Sequence, residues 1–163
     1  MAIRRIFDMT KQQIKWECKA FADLSPIELY AILHLRMEVF VIEQNCLFQD
    51  NDYKDPKCHH LMAWDGHLLV AYARMVPKGV SYADHPSIGR VVNKKSHRQL
   101  GLGKELMQHS IKQCDILFGK GSIKIGAQLY LKRFYESFGF IQTSDIYLED
   151  DIDHIEMIRP LQA

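Results

Sequence analysis

Residues 89–104 constrain the fold of this chain more than any other stretch of its sequence. The stretch begins with an apolar run whose adjacent β-branched residues favour a strand, and a polar, basic turn follows. A Gly-Leu-Gly triplet from Gly101 to Gly103 then opens a helical pattern of apolar residues. The first N–H groups of a helix lack backbone partners and carry partial positive charge. The order strand, glycine turn, helix therefore predicts an anion site, most simply for phosphate.

The two glycines leave two interpretations open on local grounds. They have no Cβ, so a pyrophosphate could approach the backbone closely, or the turn could simply pack against the sheet. The spacing is neither that of the nucleotide P-loop nor that of the dinucleotide-binding turn. It reads Arg-x-x-Gly-x-Gly from Arg98, and it resembles the coenzyme A pyrophosphate loop of the GNAT N-acetyltransferases. A second GNAT-like segment, Phe-Tyr-x-x-x-Gly-Phe over residues 134–140, follows in the order that the family has.

Hydrophobic periodicity along the chain predicts the element order β–α–β–β–β–α–β–α–β–β, a mixed α/β (α+β) class with helices on the faces of a sheet. Ser25, Pro26 and Glu28 form a capping box that starts the first helix, which runs on, or breaks and restarts, as far as Glu43. Strands are predicted over residues 14–21, 60–64, 68–76, 88–93, 122–128, 140–148 and 154–158, later helices over 101–118 and 131–138, and a loop over 45–58.

Composition bounds the class of protein. The 163 residues most simply form one domain over residues 1–163, with residues 1–13 as a loosely held extension. A net charge of +1 gives no reason to expect nucleic acid, and no apolar run reaches the ~20 residues that a membrane span needs. Four cysteines without regular spacing, and an N-terminus without a signal-peptide pattern, predict a cytoplasmic protein with reduced thiols.

Most of the chain from Trp16 onward is also similar to the ElaA group of the GNAT superfamily. The match begins with Arg-x-x-Val-Phe-Val-x-Glu-Gln over residues 36–44 and continues through an acidic loop and a His-Leu strand. It ends with Glu-Asp-x-Ile-x-His-Ile-x-Met over residues 149–157, where Asp151 replaces the glycine that the group commonly has. The resemblance implies the GNAT acyl-CoA N-acyltransferase fold, with a central mixed, twisted sheet flanked by helices, and acetyl-CoA as the cofactor.

The same resemblance places the cofactor between the strands of residues 88–93 and 122–128. Backbone groups of Val91 and Val92 would face the pantetheine arm and the thioester carbonyl. Tyr135 matches the general acid that protonates the departing coenzyme A thiolate, although an aromatic residue on a helix face also suits a core. The expected pyrophosphate loop comprises Arg98, Gln99, Leu100, Gly101, Leu102, Gly103 and Lys104, and Gln128, Phe134 and Tyr135 complete the expected cofactor contacts.

The acidic residues after the first helix are candidates for binding a cationic acceptor and removing its proton. Glu43 is the first choice as general base, because it follows the apolar residues 39–42, where partial burial would raise its pKa. Arginines within apolar segments need partners, so a structural salt-bridge network between Arg36, Arg74, Arg90 and these acids is predicted with equal weight. The candidate acceptor-binding residues are Arg36, Asp52, Asp55, His60 and Arg74.

Cys46, Cys58, His59 and His60 do not have the spacing of a metal site, so no metal is expected. The sequence thus predicts an acetyl-CoA-dependent N-acetyltransferase, a monomer or homodimer, that acetylates a primary amine of a small molecule, peptide or protein by direct attack on the thioester. Two alternatives stay open. One is an acyltransferase like the acyl-homoserine-lactone synthases, whose framework is resembled in order and type by Arg36, Phe40, Asp52, Asp55 and Arg74. The other is a GNAT-fold protein that binds coenzyme A without catalysis.

Overall fold

The computed structural model describes residues 13–161, so the extension predicted over residues 1–13 lies outside the described residues except for its last position. The predicted mixed α/β class is confirmed, and the predicted strand over residues 140–148 is divided into two short strands. The helices are α1 (Pro26–Arg36), α2 (Leu102–Phe118) and α3 (Lys132–Glu136). The strands are β1 (Lys15–Ala20), β2 (His59–Asp65), β3 (Leu68–Val76), β4 (Ser87–Asn93), β5 (Ile123–Gln128), β6 (Ile141–Gln142), β7 (Tyr147–Glu149) and β8 (Ile152–Arg159).

Helix α1 begins with the capping box that the sequence predicts. The Glu28 N–H donates to Ser25 Oγ at 3.2 Å, and the Ser25 N–H donates to the Glu28 carboxylate at 2.8 Å. The helix does not stop at Arg36 but continues as a π-helical segment, Met37–Glu43. Wide helical turns of this kind are frequent at functional sites. Here the segment carries Glu43 and Gln44 to the edge of the cleft described below.

The first sheet has the antiparallel order β1-β2-β3-β4. Asp65 and Gly66 lie at the β2–β3 hairpin as predicted, with Gly66 at a φ of +59°. Strand β3 is buried from its second residue to its last, because both of its faces are covered. One face packs on α2 in the main core, and the other packs on α1 through Tyr72.

The second sheet is built around β8, which pairs antiparallel with β5, β6 and β7. The two sheets meet where β4 and β5 begin, because the Lys124 N–H donates to the Pro86 carbonyl at 3.1 Å. Beyond that hydrogen bond the two strands line opposite sides of a cleft. The predicted central sheet is therefore opened along its middle into two antiparallel halves.

Helix α2 closes the main core against β3 and β4 with one apolar face, which includes Leu106 and Met107. It begins after Gly101, whose φ is +77°, and ends before Gly119, whose φ is +84°. Such left-handed positions favour glycine because it has no Cβ. Within residues 13–161, no helix is both long enough and apolar enough to cross a membrane.

Candidate active site

A cleft of about 1100 Å³ separates β4 from β5 and continues along the π-helical segment to the β7–β8 turn. Both sheets, the loop before α2 and helix α3 contribute to its walls. Of the residues predicted from the sequence, the structure brings these to the cleft: Glu43, Asp52, Arg74, Val91, Val92, Arg98, Gly103, Gln128, Phe134 and Tyr135.

The loop before α2 and the first three residues of that helix, residues 95–104, are together called the glycine loop. Its first part is the 3-10 turn Lys95–Leu100, and Gly101 then caps α2 without a side chain to offer. The N-cap residue therefore offers no side-chain acceptor to the first-turn N–H groups, and that of Leu102 has no side-chain cap. Gln99, Gly101 and Lys104 are exposed, whereas the Leu102 side chain is buried in the core. The predicted contribution of Leu102 thus reduces to its backbone.

Gly103 lies where the end of β4, the start of α2 and helix α3 meet. The Gly103 N–H donates to the side-chain amide oxygen of Asn93 at 3.3 Å, and the amide nitrogen donates to the Val92 carbonyl at 3.1 Å. A Cβ at Gly103 would lie 2.9 Å from the Asn93 amide and 3.9 Å from Phe134. The close approach of these elements thus requires glycine at this position. The sequence analysis did not single out Asn93.

Strand β4 contains a bulge in the middle of the cleft. Tyr72 faces Val92 across the β3–β4 ladder, but Arg74 faces Gly89, so Arg90 and Val91 are out of register. Arg90 has a φ of +52°, which is uncommon for a residue with a side chain. Bulges redirect backbone and side-chain groups and are frequent beside active sites. Periodicity alone does not reveal such a bulge.

Arg36, Arg74 and Arg90 form a network of ion pairs with three carboxylates. Arg36, which is fully buried, donates to Asp50 at 2.7 Å and to Asp55 at 2.9 Å. Arg74 donates to Asp52 at 2.8 Å and to Asp55 at 2.8 Å. Arg90 donates to Asp50 at 2.7 Å, and its guanidinium lies 6.0 Å from the Phe40 ring centroid and 5.9 Å from that of Phe48. The salt-bridge alternative is thus what the structure shows.

Two features of this network were not predicted. Asp50, which no motif marked, joins Arg36 to Arg90 and so links the buried end of α1 to the bulge of β4. Burial alone would raise the pKa of Asp52 and Asp55, but their arginine partners outweigh it and lower both pKa values below the usual 3.8. Both carboxylates are therefore held ionised.

His60 lies on the inner side of the network and does not line the cleft. Its Nε2 contacts the Asp55 carbonyl at 3.1 Å, and a carbonyl only accepts, so Nε2 carries the proton. Its Nδ1 then accepts from the Tyr72 hydroxyl at 2.7 Å, and burial lowers the pKa of His60. Cys58 donates to the Lys54 carbonyl at 3.1 Å. In the described part of the chain, no three His, Cys, Asp or Glu side chains are grouped for metal binding.

Tyr135 is both a core residue and a residue of the cleft, the two placements that the sequence allowed. Its ring packs in the core against Phe134 and Phe140, and 7% of the residue is exposed. It also lines the cleft, and its hydroxyl has no hydrogen-bond partner among residues 13–161. Burial raises the pKa of Tyr135, so the phenol keeps its proton and is suited to donate it.

The end of the π-helical segment connects the two sheets across the cleft. The Glu43 carboxylate is hydrogen-bonded to Arg98 of the glycine loop, and Arg98 also donates to the Asn93 carbonyl. The Gln128 amide donates to Gln44 at 3.2 Å. Glu43 therefore lies at the cleft as predicted, but with a guanidinium partner that the sequence did not indicate.

The opposite part of the cleft, lined by Tyr82, Tyr147, Glu149 and His154, is called the β7–β8 end. A Cβ on Gly126 would lie 3.3 Å from the Tyr82 hydroxyl and 3.2 Å from the Tyr147 hydroxyl, so both phenols converge there. The His154 ring stacks on Tyr147 with 5.9 Å between centroids. The sequence matched His154 to a motif but gave it no role.

With this geometry in place, comparison with known proteins gives the family. A family model described as the acetyltransferase (GNAT) domain matches residues 9–161, and the chain belongs to that family. Its members are acyl-CoA-dependent acyltransferases, and this is the class of enzyme that the fold and the family membership support. The ElaA protein of Escherichia coli is 39% identical over 148 residues, which cover 90% of this chain and 96% of that protein. The predicted ElaA-like resemblance is thus confirmed.

Solved structures agree with this assignment. An acyl-CoA N-acyltransferase from Pseudomonas aeruginosa superposes with a TM-score of 0.86 at 42% identity, over 90% of this chain and 99% of that chain. The coenzyme A-dependent acyl-homoserine lactone synthase BjaI superposes with a TM-score of 0.72 over 92% of this chain and 84% of that chain. Its 16% identity shows a shared fold and no more.

Proposed function

We propose that this protein is an acetyl-CoA-dependent N-acetyltransferase that acetylates a primary amine of a small molecule, peptide or protein. One observation carries the proposal: a single cleft joins the glycine-containing start of α2, a bulged strand and a protonated, unpartnered tyrosine. These are the groups that acyl transfer from a thioester needs for binding, for polarising the carbonyl and for protonating the leaving group.

The glycine loop would hold the pyrophosphate of the acyl donor. Arg98 and Lys104 supply positive charge, and the Leu102 N–H lies at the positive end of α2. Gly103 lines the cleft beside it, with no side chain between its backbone and a ligand. Phe134 and Gln128 line the path from this loop along the cleft and would contact the pantetheine arm.

The bulge of β4 would act on the thioester carbonyl. Val91 and Val92 line the cleft, and Val91 lies where the ladder to β3 is out of register, so backbone N–H groups of this segment would face an oxygen of the substrate. Two such donors stabilise the oxyanion that forms when an amine attacks. Tyr135 would then donate its phenolic proton to the departing thiolate.

The acceptor would lie on the other side of the thioester. Asp52 and Arg74 line the cleft and are proposed to contact the acceptor, while Arg36, Asp55 and His60 lie behind them and would hold them in place. Glu43 as general base remains a prediction from the sequence. In the structure its carboxylate must first leave Arg98 to accept a proton.

The test is turnover of acetyl-CoA by the purified protein with 1,4-diaminobutane, lysine amide or a lysine-containing tripeptide. We expect thiol release that depends on the amine, and a product heavier by one acetyl group in mass spectrometry. Release only with S-adenosylmethionine would favour the lactone-synthase alternative. Acetyl-CoA binding without thiol release above the buffer rate would favour the non-catalytic alternative. The cytoplasmic location, the absence of nucleic-acid or membrane partners and the oligomeric state stay predictions.

A further inference from the structure

The neutral imidazole of His154 is held in one tautomer by the backbone of its own strand. Its Nδ1 lies 2.8 Å from the Ile152 carbonyl, and a carbonyl oxygen only accepts hydrogen bonds. Nδ1 therefore carries the proton, and in the neutral ring Nε2 has a free lone pair. Among residues 13–161, Nε2 has no hydrogen-bond partner, and His154 lines the cleft. Nε2 of His154 is thus a proton acceptor without a hydrogen-bond partner in the described part of the chain.

The surroundings of this ring suit an amine. Tyr147 of β7 stacks on it, and Glu149 of the same strand lies at the cleft without a cationic partner in the described residues. From the loop before β4, Tyr82 faces the same space, and burial raises its pKa, so it stays neutral. Asp150 of the β7–β8 turn also lines the cleft, and Asp153 adjoins His154 on β8. Glu156 of β8 and Lys124 of β5 form an ion pair at 2.7 Å. Gln128, which pairs with His154 across β5 and β8, is uncharged.

We propose that His154 is the general base that removes the proton from the acceptor amine, at the β7–β8 end of the cleft. This inference rests on the proposed N-acetyltransferase function. As the C–N bond forms between the neutral amine and the thioester carbon, one N–H proton passes to Nε2 of His154. The C–S bond then breaks, and the thiolate takes the proton of Tyr135. The imidazolium releases its proton to solvent, Tyr135 regains one, and the products are the amide and the thiol.

Glu43 is the competing base, and its geometry is less suitable. Its carboxylate is bonded to Arg98 at the side of the cleft that faces the glycine loop. A carboxylate that is paired with a guanidinium must break that ion pair before it can accept a proton. His154 requires no such change, because its outward nitrogen is already free. The two candidates are therefore separated by one pair of variants, His154→Asn and Glu43→Gln.

The decisive experiment compares these variants with His34→Asn, which changes an exposed histidine of α1. In His154→Asn the amide nitrogen replaces Nδ1, so the bond to the Ile152 carbonyl is kept and only the base is removed. With the three amines named above, we expect its kcat to fall by about 100-fold or more. Its acetyl-CoA affinity, measured by calorimetry, should stay unchanged.

The fall of the rate toward acid pH should disappear in His154→Asn, and added imidazole should restore part of the activity. Glu43→Gln should keep the acid limb, and His34→Asn should behave like the wild type.

A rate and an acid limb that survive in both His154→Asn and His154→Gln would overturn the proposal, and loss of the limb in Glu43→Gln alone would assign the base to Glu43. A second measurement needs no acceptor. Long-range ¹H–¹⁵N spectra of the histidine side chains should show the neutral His154 ring protonated at Nδ1, and a proton at Nε2 would contradict the inference. If the wild type binds acetyl-CoA but consumes it with no amine, the proposed function fails, while the spectra still decide which nitrogen is free.

Discussion

The cleft has two polar walls whose charged groups are used in different ways. In one wall, the carboxylates of Asp50, Asp52 and Asp55 are all bound to arginines of the same chain. In the other, the glycine loop presents the Leu102 N–H without a side-chain cap, and Lys104 has no ion-pair partner among the described residues. Charged groups that pair with one another inside the protein stabilise the structure of a site. Groups that are left over are those available to a ligand.

The largest effect should come from the wall that contains Asp50, Asp52, Asp55 and their arginine partners, here called the arginine wall. Asp55 is buried and accepts from both Arg36 and Arg74, so Asp55→Ala leaves two buried guanidiniums short of a partner. We expect the free energy of unfolding to fall by about 3–5 kcal/mol, as is usual when one member of a buried ion pair is removed. Urea unfolding followed by circular dichroism measures it. Glu136→Ala breaks an exposed i,i+4 pair with Lys132, and a loss above ~1 kcal/mol there would show that burial is not the cause.

The glycine loop should show the reverse pattern, with a loss of binding larger than its loss of stability. Gly101→Val puts a β-branched residue at a φ of +77° and covers the start of α2. We expect acetyl-CoA to bind about 100-fold more weakly or worse, since two or more charge-assisted hydrogen bonds would be disturbed. Gly119→Val is the control at the other end of α2, where a φ of +84° and a ψ of 156° make the added side chain at least as strained. Equal loss of affinity in both variants would contradict a local role for the loop.

Tyr135→Phe sharpens the comparison, because it removes a polar atom that the protein itself does not use. We expect kcat to fall by about 100-fold, the lower range for a general acid, while acetyl-CoA affinity and stability are kept. Steady-state thiol release and calorimetry on the same samples measure both. Unchanged turnover would leave Tyr135 with only its core role against Phe140.

The smallest effect is the pH dependence of the arginine wall. The pKa values of Asp52 and Asp55 in the folded protein lie below 3.8, so their ionised forms stabilise the fold. This stabilisation is complete above about pH 4 and is lost as the pH falls through the lower, folded-state values. Unfolding curves of the wild type should therefore shift to lower urea concentration as the pH falls below 4. Asp52→Asn should flatten that shift, and an equally steep shift in this variant would show that other groups cause it.

The sequence predicted the elements where local signals agree. The capping box of Ser25 and Glu28, the Asp65–Gly66 turn and the Gly101 helix start all lie where their chemistry requires. It did not predict the π-helical segment Met37–Glu43 or the bulge at Arg90, because both depend on tertiary contacts between α1, the acidic loop and β4. The split of residues 140–148 into β6 and β7 depends likewise on pairing with β8.

The candidate site was predictable to a similar extent. Motif resemblance marked the residues of the glycine loop, Tyr135 and the acidic loop. It left Arg36 and Arg74 with two interpretations, acceptor binding or structural salt bridges, and the salt bridges appear only in the distances to Asp50, Asp52 and Asp55. It also left His154 without a role, because the bond from Nδ1 to the Ile152 carbonyl is a matter of strand geometry. Residues brought together from distant parts of the chain carry no local signal.

Calorimetric titration of the wild-type protein with acetyl-CoA tests the central claim most directly. If the glycine loop is an acyl-CoA site, saturable binding should be seen. The melting temperature should then rise with acetyl-CoA concentration by the equivalent of about 2.7 kcal/mol at 100 times Kd. The rise should be lost in Gly101→Val and kept in Gly119→Val. No binding and no rise with acetyl-CoA in the wild type would mean that the glycine loop only connects β4 to α2, and the account of this cleft would be wrong.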